Sequence, residues 1–113
     1  ARNSIKLSKL YLKQLQQSQE NVSHSFRKDI SNVRSDISTL EAQIVNSNRQ
    51  VLQSRSAVEL AQSRYRNGLV TYTDVLNALA NRQRAELSKL NLEYQLCLAR
   101  IELARITGVA YFE

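Results

Sequence analysis

The sequence predicts an all-α protein, an antiparallel two-helix coiled-coil hairpin with one very long helix and one shorter one. Three observations predict it. The 113 residues include no Pro and two Gly, so over most of the length nothing interrupts a helix. Apolar residues recur at alternating spacings of three and four. Gly68, preceded by Asn67, is the one glycine before Gly108, so the backbone reverses cheaply at a single place. On this reading residues 1–113 form a single helical hairpin, with helices over about 4–66 and about 73–107 and a tip at 67–72.

The first helix opens with Ile5, Leu7, Leu10, Tyr11, Leu12 and Leu15, a stripe too broad for one partner; it wants two neighbours. Residues 16–25 are polar apart from Val22, yet without Gly or Pro the helix runs on through them. His24 stands there among serines and reads as an exposed polar residue, since no second His or Cys lies at ligand spacing. From Ile30 the pattern tightens into Ile30, Val33, Ile37, Leu40, Ile44, Ser47, Val51, Ser54, Val58, Ala61 and Tyr65. That is a sustained heptad seam, and its small members let a partner helix approach closely.

At the tip, Asn67 and Gly68 tolerate the left-handed conformation that ends a helix, with Gly68 just past the C-cap. Thr71 and Asp74 have capping-box spacing, which also places a carboxylate in the positive first turn of the second helix. Beyond it, Leu76, Ala80, Gln83, Leu87, Leu90, Tyr94, Cys97, Ile101 and Ala104 form a second heptad stripe, expected to face the first. Cys97 has no disulfide partner and no metal-site spacing, and within that stripe it is expected to be a buried thiol. Gly108 is expected to stop the helix, with Val109 to Glu113 leaving it.

The lengths constrain the pairing. Helix one would measure about 90 Å and helix two about 50 Å. With Tyr65 opposite Leu76, the numbers of paired residues add to about 141, and Thr107 meets roughly residue 34. Residues 30–66 therefore pair with helix two, and residues 1–29 are an overhang lacking an intrachain partner, with apolar side chains that ask for neighbours. Beginning in mid-pattern at Ala1, the chain reads as a fragment of something larger.

The formal net charge is +6, and all of the excess lies before the tip. Residues 1–66 carry 11 Lys or Arg against 5 Asp or Glu, and residues 67–113 carry 5 against 5. Basic excess raises nucleic acid or anionic lipid as partners. Here the cations are dispersed singly among Ser, Gln and Asn without aromatic interleaving, so a solvated helix face is preferred and no nucleic-acid partner is expected. No apolar run reaches the 18 to 20 or so residues needed to span a bilayer, and no cofactor or metal motif is present. One His and no phosphate-cradling loop point away from an enzyme.

The block Tyr65-x-x-Gly68-Leu69-x-x-x-Thr73-Asp74-Val75-Leu76-Asn77-Ala78, followed by Ile106-Thr107-Gly108, resembles the repeated hairpin of the TolC-like outer-membrane efflux channels. The resemblance covers essentially the whole chain and is most specific over 64–108. It implies a segment of the periplasmic α-barrel of a homotrimeric conduit in the outer membrane. Such a channel exports drugs, metal ions or proteins with a periplasmic adaptor and, indirectly, an inner-membrane pump.

The same resemblance implies an adaptor contact at Asn67, Gly68 and Leu69, and pore-closing polar contacts at Tyr65, Thr73 and Asp74. Each has a plainer alternative: Gly68 only ends a helix, Leu69 folds back onto Val75, and Asp74 only caps. Val70 departs from the pattern, standing where one hairpin copy of that family can carry a basic closing residue. Which of the two copies this is stays open. The competing reading is a generic soluble coiled-coil scaffold, or the adaptor-side hairpin of an efflux pump, for which matched helix lengths would be expected.

Overall fold

The computed structural model describes residues 2–112, with side chains described for 2–108. Two helices make up nearly all of it: α1, Arg2–Arg66, and α2, Tyr72–Phe112. The described residues contain no strand. α1 crosses the polar stretch 16–25 unbroken, as expected where no Gly or Pro intervenes.

α2 does not stop at Gly108. It continues through that glycine to Phe112, so the expected end at 107 and the exit of Val109 onward are corrected. Gly108 keeps a negative φ and nothing lies within 4 Å of the place a Cβ would occupy. A helical glycine costs about 1 kcal/mol against alanine, too little to end a helix by itself. Glu113 lies outside the described residues.

The chain divides into two units, Asp36–Ile101 and Ala1–Ser35 with Glu102–Glu113. In the first, the two helices run antiparallel around the turn. On α1, Ile37, Leu40, Ile44, Ser47, Val51, Ser54, Val58 and Ala61 are buried or half-buried, the heptad positions expected from the sequence, whereas Tyr65, the last expected member of the seam, is exposed beside the turn. On α2 the inward positions are Val75, Ala78, Arg82, Ala85, Lys89, Leu92, Leu96 and Ala99, again at alternating three and four.

That set differs from the stripe expected to face α1. Leu76, Leu87, Leu90, Tyr94, Cys97 and Ile101 are exposed, Leu90 at 61% and Tyr94 at 63%, so the seam of α2 is displaced by a residue or two and Cys97 is an exposed thiol. Small side chains won over large ones. Ser47 and Ser54 on α1 and Ala78, Ala85 and Ala99 on α2 allow close approach, whereas a leucine-rich stripe would hold the helices apart.

Two seam positions hold cations. Arg82 and Lys89 are half-buried, with Arg82 Nε 4.0 Å from Glu86 and Lys89 Nζ 3.9 Å from Glu93, one turn on. Their methylene stems cover the seam, and Arg82 Nε is buried without a hydrogen-bond partner among the described residues. Ser54 donates its hydroxyl to the Val51 carbonyl at 2.8 Å. The Ser47 hydroxyl, in a residue 4% exposed, has no partner among the described residues.

In the second unit every residue from 2 to 25 is exposed. Phe26, Ile30 and Val33 of α1 are half-buried, and Ile106 of α2 is buried. Phe26 and Val33 line one side of a groove of about 360 Å³ whose other side is Glu102, Arg105 and Ile106. Arg105 is bidentate on Glu102, at 3.0 and 2.6 Å, and this pair holds the Glu102 carboxyl below its ordinary pKa and raises that of Arg105.

Candidate functional site

The turn is built from the backbone of α1's last residues. Asn67 N–H donates to Ser63 O at 3.1 Å, Gly68 N–H to Tyr65 O at 3.0 Å, and Leu69 N–H to Arg64 O at 2.8 Å. The last two are the paired bonds of a Schellman motif, with Asn67 as C-cap and Gly68 at the left-handed position, φ +73°. A residue with a Cβ is strained there. No chain atom lies within 4 Å of that missing Cβ, so this glycine answers to backbone conformation and not to internal crowding.

A Schellman turn usually packs an apolar residue at Leu69's position against the one at Arg64's or Ser63's. Both of those are polar in this chain, and Leu69 is left 73% exposed. Val75, by contrast, is 4% exposed. Half-buried at the position before the cap, Val70 is placed to staple onto Val75 in the first turn of α2.

The capping box is reciprocal. Asp74 N–H reaches Thr71 Oγ1 at 3.4 Å, while Thr71 N–H and Oγ1–H donate to Asp74 Oδ2 at 3.0 and 3.1 Å. The carboxylate of Asp74 is therefore engaged in starting α2. Thr73 beside it is exposed. Tyr65 meets Tyr72 across the turn, ring centroids 5.4 Å apart and tilted by 57°. Tyr72 was not singled out from the sequence, although its near-mirror placement to Tyr65 about Gly68 and Leu69 was visible there.

The tip thus gathers Tyr65, Asn67, Gly68, Leu69, Thr73 and Asp74 within one turn, with Leu69 outermost in exposure among its large apolar side chains. Among the described residues no cluster of His, Cys, Asp or Glu could hold a metal ion. No described helix is long and apolar enough to cross a membrane.

Residues 1–109 match the outer membrane efflux protein family, and the chain belongs to that family. Its members form transport channels of the outer membrane and are not enzymes, so the chain is part of an outer-membrane efflux channel. Neither a curated protein nor a solved structure gave a significant match.

Proposed function

We propose that this hairpin is a wall segment of the periplasmic α-helical conduit of a trimeric efflux channel, meeting the periplasmic adaptor at Asn67, Gly68 and Leu69. The inner-membrane pump is engaged indirectly, through the adaptor. Residues 1–29 serve as an overhang that lies against neighbouring elements of the assembled channel. Tyr65, Thr73 and Asp74 take part in closing the pore, Asp74 while also capping α2.

One observation carries this reading: α2 displays a second apolar heptad stripe to solvent. Leu76, Leu87, Leu90, Tyr94 and Ile101 share one face, outside the seam with α1. A two-helix scaffold needs one stripe per helix, and a second stripe is what a helix in a closed ring of helices requires. Within the stripe the hydrophilic member is the neutral Gln83, and Arg84, Glu86, Glu93 and Arg100 stand at its flanks. The alternative of an adaptor-side hairpin fits poorly with helices of 65 and 41 residues.

The deciding experiment introduces Leu87→Asp with Leu90→Asp into the full-length channel. Trimer yield in detergent and export should both fall, while circular dichroism keeps its helical signal. Wild-type trimer and export in that variant would remove the support for a wall segment.

A further inference from the structure

The helix pair of the unit 36–101 has two broad sides, and they differ in chemistry. On one side Arg55 reaches Glu86 and Arg100 reaches Glu41 across the seam, with Glu93 beside Lys89. On the other, Gln43, Gln50 and Ala57 of α1 run alongside Asn81, Ser88 and Gln95 of α2. All six are exposed and none is charged.

The remaining apolar side chains are not indifferent to these sides. With about 100° of rotation per residue, the direction of each stripe around its helix follows from residue numbers. On α2 the exposed stripe of Leu76, Leu87, Leu90, Tyr94 and Ile101 lies about 150° from the seam, counted through Glu86, Glu93 and Arg100. Adding the exposed Cys97 and Leu98 leaves that angle unchanged. On α1 the exposed Val45, Leu52 and Leu60 also centre about 150° from the seam, counted through Glu41 and Arg55. The short arc of each helix therefore crosses the ion-paired side, and the long arc, about 210°, crosses the amide side.

We propose that the ion-paired side of the hairpin lines the bore of the channel and that the amide side turns outward. The inference rests on the reading of the hairpin as a wall segment and adds which way the wall faces. A helix in a closed ring touches a neighbour on either hand. Because the ring curves toward its centre, those two contacts subtend less than a half-turn on the bore side and more than a half-turn outside. The opposite orientation would place the long arcs inward, and such a wall curves away from closure. Polarity does not decide the matter, since both sides can meet water; the arcs do, and the two helices agree. The bore then carries Glu41, Arg55, Glu86, Glu93 and Arg100, a wetted lining whose opposite charges offset one another along the path of a solute.

The test adds charge to each side of the full-length channel, reconstituted in a planar bilayer under a KCl gradient, and reads the potassium-to-chloride permeability ratio from the reversal potential. Asn48→Glu with Gln62→Glu acts on the ion-paired side; Gln50→Glu with Ala57→Glu acts on the amide side, at positions between those two along α1. The first pair should raise the ratio by about twofold or more, as a ring of added carboxylates does in a pore, and the second should leave it at the wild-type value. Where a variant fails to assemble, a sulfonate thiol reagent attached to Asn48→Cys or Gln50→Cys in the assembled channel, in a Cys97→Ser background, makes the same comparison. A rise with the amide-side pair alone, or equal rises with both, overturns the orientation and keeps the wall segment. No change with either rejects the wall segment too.

Discussion

Arg55 donates its Nε proton to Glu86 Oε1 across 3.3 Å, joining α1 to α2 at positions whose numbers add to 141. Arg100 and Glu41, 3.5 Å apart, join the helices a second time at positions with the same total. Two cross-helix pairs with one total fix a single antiparallel register over the unit 36–101. It is the register obtained by counting outward from the turn. All four side chains are about half exposed or more, so these pairs mark the register without supplying much stability.

The two faces of α2 should respond oppositely to the same chemistry. Leu96→Asp places a charge in the seam and should unfold the hairpin, and Leu96→Ala should cost about 2–4 kcal/mol. Leu90→Asp, on a side chain 61% exposed, should leave helicity and melting of the chain within about 0.5 kcal/mol of wild type. Urea melts followed by circular dichroism measure both, and equal destabilisation would mean that the inward face is misassigned. The expectation that Leu90 belongs to the seam is thereby replaced, while Ile44 keeps its place there.

Removing the capping box should weaken the start of α2. Thr71→Ala loses the hydroxyl that accepts from Asp74 N–H, and a loss of about 1 kcal/mol is expected. Asp74→Asn should cost less, because the amide oxygen still accepts from Thr71 while the favourable charge at the positive helix end is gone. Amide exchange at residues 72–75 reads the effect locally; unchanged protection in Thr71→Ala would count against the cap.

The two glycines should show opposite signs. Gly68→Ala forces a Cβ into φ +73° and should destabilise by about 1 kcal/mol. Gly108→Ala, inside a helix with open space around the new methyl, should stabilise by about 0.5–1 kcal/mol. Thermal melts of the two variants side by side give the comparison.

Acid should loosen the last part of α2. The Arg105 guanidinium hydrogen-bonded to Glu102 holds its carboxyl below the ordinary value of 4.5, with the attraction of that charge adding to the effect. Because the folded pKa is the lower one, the pair's contribution is complete above pH 4.5 and disappears as pH falls through the folded pKa. Both side chains are about half open to solvent, so the effect is local and salt-sensitive. An NMR titration should place the Glu102 midpoint below 4.5, and Arg105→Gln should return it to that value.

Much of this was legible in the residues. Absence of proline and scarcity of glycine determined long helices, Asn67-Gly68 located the turn, Thr71 and Asp74 announced the cap, and the alternating spacings of α1 named its buried side chains. The tip residues are local in sequence, so their hydrogen bonds could be anticipated without knowing what packs where.

Only the tertiary structure decided which stripe of α2 turns inward. Both candidates repeat at three and four, and hydropathy favours Leu76, Leu87, Leu90, Tyr94 and Ile101 over a set containing Ala78, Arg82, Ala85 and Lys89. Periodicity measures how residues recur and says nothing about rotation of a helix about its own axis. That phase is set at the turn, where the short connection and the Val70 staple place Val75 inward, and every third or fourth residue follows it. One residue of offset is about 100° of rotation, enough to exchange the helix seam for the face that α2 turns to its surroundings.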